Sequence, residues 1–310
     1  MAVESVHDKF FKAVFSRREI AVALIEELLP EAVGAALQLD ALELSNASFV
    51  DEDLAEHFAD LVYDTRTTGG DAVRVALLLE HKSYVVPQPH VQLLRYVLNA
   101  WKEDLQQAQP LRLLIPVVVY HGSAAWTYQP LTSYLGGVPE ALARFVPEFD
   151  YLLVNLSALP EDRLLAFRNA FLGLSAFLLK HSRQQRYLEE FFEPFRQLML
   201  AVERRQPPEV LGMVFRYVYE TGDLSVTELV FIFEKISRQT SDAVMTTAER
   251  LLQQGRQEGR QEGQVEGRRE ATLRYIRGML RIGMNAETIA AAFELPLAEV
   301  KAYIAQLKDE

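Results

Sequence analysis

Two runs of strand-forming residues, joined by a glycine turn, constrain this chain more than any other feature. The first is HFADLVYDTR at 57–66, the turn is TTGGD at 67–71, and the second is VRVALLLEHKSY at 73–84. Gly69 and Gly70 supply the backbone freedom that a tight reversal needs, so the two runs predict an antiparallel hairpin. The second run is almost continuously apolar. A strand of that kind is buried on both faces and belongs near the centre of a sheet.

The flanking segments supply the rest of a sheet and its cover. Residues 5–29 read as a helix, with Phe10, Val14, Ile20, Leu24 and Leu28 at helical spacing and Pro30 as the stop. Residues 37–49 alternate loosely and predict a strand. Pro87 and Pro89 break the chain, and residues 90–107 predict a helix. Val91, Leu94, Leu98, Trp101 and Leu105 recur at steps of three and four, which predicts its core stripe. LRLLIPVVVY at 111–120 returns as a strand, although Pro116 argues against an interior place for it. The order α-β-β-β-α-β implies an α/β chain with a mixed sheet and helices against it. YLLVNLS at 151–157 adds a strand. Residues 161–252 read as several helices, broken near His181, Pro207–Pro208 and Thr221–Gly222.

Composition removes several classes of function. The chain has 310 residues, 49% hydrophobic and 24% charged, as expected for a packed globular protein. It has no cysteine, so disulfides and thiolate metal sites are excluded. The opening MAVESVHDKFFKAVF is charged from the fourth residue and has no apolar h-region, which predicts no signal peptide. The apolar runs fall short of the roughly 20 residues that span a bilayer, so a cytoplasmic protein without membrane contact is expected. The net charge of −11 argues against broad, charge-driven binding to nucleic acid. A cleft that gathers metal ions must nevertheless be acidic.

The hairpin also carries the chemistry. Asp60 sits on one arm, and Glu80-His81-Lys82 ends the other. Strand alternation puts Glu80 and Lys82 on one face and His81 on the other. In the simplest register Asp60 lies beside Glu80. Two carboxylates there make an oxygen site suited to Mg²⁺ or Mn²⁺. Lys82 then orients or deprotonates water, or steadies charge on a scissile phosphate. A strand-end Glu-x-Lys is common, and a solvated strand end is the bland alternative. Helix, paired carboxylates on a hairpin, helix and strand together match the pattern of the PD-(D/E)XK nuclease fold.

Five words of sequence then resemble one family. HDKFFKAVF at 7–15, ADLVYD at 59–64, LLLEHKS at 77–83, LLRYVLNAW at 93–101 and IPVVVYHGSAAW at 115–126 are similar to the recombination-promoting nucleases, the YhgA-like transposase type. The resemblance implies a PD-(D/E)XK-like core followed by an all-helical extension, and metal-dependent DNA cleavage linked to recombination or mobile elements. It implies Asp60 and Glu80 as metal carboxylates and Lys82 as the third catalytic position. Many relatives carry glutamine there, and lysine favours an intact site. Asp8 and His7 are placed near the cleft by the same resemblance, although Ser5-Val6-His7-Asp8 also reads as a helix-capping box. Gln92, Tyr96 and Asn99 share a helix face distinct from the apolar stripe. Gln92 and Tyr96 are candidates for contact with phosphate or the attacking water, and Arg95 and Lys102 for backbone phosphates. A partly exposed amphipathic face is the alternative.

The tail begins with GRQEGRQEGQVEGRRE at 255–270, where Gly255, Gly259, Gly263 and Gly267 recur every four residues. Each glycine costs a helix roughly 1 kcal/mol relative to alanine, so a marginal helix, a linker, or a helix ordered by self-pairing is expected. Residues 271–310 read as a short helix-turn-helix, with a second helix that offers only Glu299, Lys301, Tyr303, Gln306 and Lys308. Oligomerisation or docking suits it better than DNA reading. The expected division is a nuclease domain with helical extension at 1–205, a helical connector at 206–254, the repeat at 255–270 and the tail at 271–310. Against a DNA endonuclease stand two alternatives: a non-catalytic interaction protein on the same scaffold, and a DNA-binding regulator acting through the tail.

Overall fold

The computed structural model describes residues 6–50, 54, 58–80, 88–147 and 149–307, without the side chains of Phe58, Ala59, Glu80, Glu258, Glu262 and Val265. The chain divides into two compact units, Met1–Thr247 and Ala248–Glu310.

The first unit is built on a five-stranded mixed sheet in the order β1-β2-β3-β4-β5. Its strands are β1 (Glu43–Leu44), β2 (Phe58–Arg66), β3 (Ala72–Glu80), β4 (Leu113–Tyr120) and β5 (Leu152–Asn155). β1, β2 and β3 pair antiparallel, whereas β3, β4 and β5 run parallel. The glycine turn is present, with Gly70 at φ +97°, a region that side chains with a Cβ rarely occupy. β3 is central as its sequence requires: Val73 to Leu79 are all buried. β4 is interior despite Pro116. β5 begins to pair only at Val117, so the missing proline N–H meets no strand on that side.

Strand parity separates two cores. Val62, Ala76, Leu78, Leu114 and Val118 face one side and pack with Leu93, Tyr96, Val97 and Ala100 of α4 (Pro89–Gln106). Tyr63, Val75, Leu77, Val117 and Val119 are buried on the other side. There the Tyr63 hydroxyl donates to the Phe15 carbonyl at the end of α1 (Val6–Phe15).

Three sequence expectations are corrected. The helix expected at 5–29 is two helices, α1 and α2 (Arg18–Leu28), because the chain turns at Ser16–Arg17. The strand expected at 37–49 shrinks to β1 and a bridge from Leu37 to Thr67, with a helical turn at Leu39–Ala41 between them. Most important, α4 buries a different face. Val91, Leu98 and Leu105 are 58%, 50% and 65% exposed, while Leu93, Tyr96 and Ala100 are fully buried. The sheet beneath α4 carries charged and polar groups, and Tyr96 and Asp104 answer them better than aliphatic side chains can.

After α3 (Glu31–Ala35) and the sheet come α5 (Glu161–Leu165), α6 (Ala170–His181), α7 (Tyr187–Glu190), α8 (Phe192–Glu203), α9 (Pro208–Thr221) and α10 (Val226–Glu234), with the three expected breaks present and further ones at 166–169, 191 and 235–237. The 44-residue α11 (Arg238–Arg281) runs through the glycine repeat. In the second unit its end packs with α12 (Ala286–Phe293) and α13 (Leu297–Gln306) around Ile276, Ile289 and Val300. Among the described residues, no helix is long and apolar enough to cross a membrane.

Candidate active site

Asp60 lies on β2 and is 8% exposed. A carboxylate so buried must be answered by donors or lose its charge. Three donors answer it. Ser48 Oγ donates to Oδ1 at 2.7 Å, the Phe49 backbone N–H to Oδ2 at 3.0 Å, and the Tyr96 hydroxyl to Oδ2 at 2.8 Å. A carboxylate accepts about four hydrogen bonds; among the described residues Oδ2 accepts two and Oδ1 one. Burial and the Asp60 charge both push the Tyr96 phenol well above its ordinary pKa, so Tyr96 remains a donor.

The β2–β3 register places Asp60 opposite Leu78 and Phe58 opposite Glu80. Position 80 is thus a diagonal neighbour of Asp60 on the same face, not its direct partner. Diagonal positions of an antiparallel pair lie about 7–8 Å apart, within reach of a common ligand for long side chains. Carboxylates at two such positions would have the oxygen chemistry that suits Mg²⁺ or Mn²⁺, which keep several waters and take few protein ligands; among the described residues no three or more His, Cys, Asp or Glu side chains gather as a metal site. Lys82 lies outside the described residues.

The other candidates separate by location. Tyr96 joins Asp60 directly, from the buried face of α4 rather than from the separate face expected of it. Gln92, one turn earlier, is half-buried, and Arg95 is exposed. Asn99 donates to the Phe49 carbonyl at 3.1 Å and so holds the segment that serves Asp60. Asp8 is buried in the first turn of α1. The ring of its neighbour His7 lies 4.9 Å from that of His121, just beyond the end of β4, at a tilt of 58°, and His7 binds the Tyr217 hydroxyl at 2.9 Å. His121 is itself buried, in the loop just after β4, with Nδ1 3.1 Å from the Leu179 carbonyl.

Sequence reasoning missed Ser48, Phe49 and Arg74. The SNAS run at 45–48 is a loop signal that the strand reading passed over. Arg74 interrupts the apolar run of β3, which by itself signals a paired buried charge. It is 3% exposed, lies 3.0 Å from the buried Asp104 and 3.3 Å from Asp64. Its guanidinium covers the Phe49 ring at 4.9 Å, so it braces the residue whose N–H serves Asp60.

The sequence similarities follow this geometry. The family model described as "Putative transposase, YhgA-like" matches residues 5–209. The chain is 27% identical to the inactive recombination-promoting nuclease-like protein RpnE of Escherichia coli K12, over 96% of each chain. It is 28% identical to the recombination-promoting nuclease RpnC of the same strain, over 95% of each. It is 27% identical to the recombination-promoting nuclease RpnD of Escherichia coli O157:H7, over 79% of this chain and 93% of that one. No solved structure matches the chain. With more than half its length matched by the family model, the chain belongs to the YhgA-like transposase family.

Proposed function

We propose that this protein is a divalent-metal-dependent DNA endonuclease of the PD-(D/E)XK type, acting in recombination or mobile-element movement. The observation that carries the reading is the buried Asp60 carboxylate, held by Ser48, the Phe49 N–H and Tyr96, on the face to which the register brings position 80. Relatives named recombination-promoting nucleases support it.

In this reading Asp60 and Glu80 would hold Mg²⁺ or Mn²⁺. The bound ion supplies Lewis acidity toward the phosphoryl oxygen and a lowered pKa for water. Tyr96, Ser48 and the Phe49 N–H fix the Asp60 carboxylate and so set its orientation. Lys82 steadies charge on the scissile phosphate or takes a proton from water. Gln92 and Arg95, on the same helix as Tyr96, contact the phosphate backbone beside the cut, and Asp8 supports the cleft from α1.

The test is plasmid cleavage by the purified protein with Mg²⁺, Mn²⁺, Ca²⁺ or EDTA, beside Asp60→Ala. Nicking or linearisation that needs both metal and Asp60 supports the enzyme and its site together. No cleavage in any metal by a folded protein would remove it. One observation favours a second reading: a relative that matches nearly the whole chain is named inactive. On that reading the fold is a non-catalytic interaction scaffold. Isothermal titration showing Mn²⁺ binding that vanishes in Asp60→Asn would count against it.

A further inference from the structure

The chain is acidic overall, yet one stretch reverses the sign. Residues 268–281, RREATLRYIRGMLR, hold five arginines against one carboxylate, Glu270, on a chain of net charge −11. The stretch forms the last turns of α11 in the second unit.

Its placement is ordered. Arg274, Arg277 and Arg281 follow at i, i+3 and i+7, so they share one face of the helix. All three are exposed. Ile276, Met279 and Leu280 occupy the opposite side and pack toward α12 and α13. The arginines therefore do not serve the small core. Arg269, on another part of the helix, donates to Gln306 at 3.1 Å and braces α13. Gly278 lies on the edge of the arginine face, and nothing stands within 4 Å of where its Cβ would be. A polyanion backbone can approach the helix closely there. From Arg274 to Arg281 the helix rises about 10 Å, which spans several charges of duplex DNA at one per about 1.7 Å.

We propose that the Arg274–Arg277–Arg281 face of α11 is a duplex-DNA backbone site, which holds the substrate without reading its sequence. The helix-turn-helix pair is not the reader: α13 presents Glu299 beside Lys301 and Tyr303. A row of guanidiniums on one helix face fits phosphate contact, which fixes position and carries no sequence information. The ligand is the one the proposed cleavage reaction would use, but the site stands on its own charge pattern.

The test uses the full chain with metal chelated, so that binding is measured without cleavage. Fluorescence anisotropy with a labelled duplex gives affinity across a salt series. Replacing all three arginines by Gln should weaken binding at least about tenfold. It should also lower the slope of log affinity against log salt by about 2.7, at about 0.9 for each phosphate no longer neutralised. The triple Lys variant should keep most of the slope. Two duplexes of unrelated sequence should respond alike. Unchanged affinity and slope in the Gln variant would overturn the proposal. So would loss of self-association instead, which assigns the face to a protein partner. Because the assay runs in EDTA, failure of the catalytic reading leaves its outcome unaffected.

Discussion

The two units handle charge in opposite ways. In the first, beside its exposed ion pairs, some charged groups are buried and fixed: Asp60 is held by Ser48, the Phe49 N–H and Tyr96, and Arg74 and Asp104 are paired at 3.0 Å under α4. In the second, the core is a handful of aliphatic side chains, and arginines stand on the outside of a long helix. A buried, oriented carboxylate suits one defined task on one atom. Exposed guanidiniums suit contact with a repeating backbone. The difference teaches where precision and where mere attraction are built.

The contrast can be broken by substitution. Arg74→Ala should destabilise the first unit by about 3 kcal/mol, because it leaves Asp104 with less compensation. Arg274→Ala should shift stability by less than about 0.5 kcal/mol. Denaturant unfolding measures both, and equal effects would erase the distinction. Tyr96→Phe comes next, at about 1–3 kcal/mol, since a buried carboxylate loses one of the donors that answer it. It should also slow cleavage, whereas the same change at the exposed Tyr275 should do neither. Smaller and opposite in sign is Gly259→Ala. With open space around that position, helicity measured by circular dichroism should rise, by about 1 kcal/mol of helix stability.

The smallest effect is a pH dependence confined to the first unit. His90 is buried among Tyr128, Tyr134, Phe149 and Tyr151, and neither ring nitrogen has a hydrogen-bond partner among the described residues. Burial lowers its pKa, opposed by the charge of Asp150. The unfolded chain then takes up the proton first. Stability is complete above about pH 6.5 and falls as pH drops below it. Melting temperatures of wild type and His90→Phe should converge above that pH and separate below it.

Much of this was legible in the sequence, for reasons that also mark what was not. Period-two alternation and the glycine turn specify the hairpin, so Asp60 and Glu80 fall on one face without further information. Proline and glycine punctuation gives the helix breaks at Pro207–Pro208 and Thr221–Gly222, and the polar run after His181 gives a third. The face of α4 was misread because hydrophobicity counts a residue and not its partners. Val91, Leu98 and Leu105 are the more apolar set, but Tyr96 and Asp104 are needed beneath the helix by Asp60, Arg74 and Arg112. Ser48 and the Phe49 N–H reach Asp60 from a loop, where no periodicity announces a contact. The three arginines of α11 were overlooked since whole-chain charge conceals a local reversal.

The most direct measurement is single-turnover cleavage of a labelled duplex in Mg²⁺ by wild type and Asp60→Asn, both shown to melt cooperatively. The substitution keeps the shape of the side chain and removes its charge. If Asp60 is the metal-holding carboxylate, the rate should fall at least about a thousandfold, roughly 4 kcal/mol of barrier. A variant that cuts within a few-fold of wild type would contradict the account.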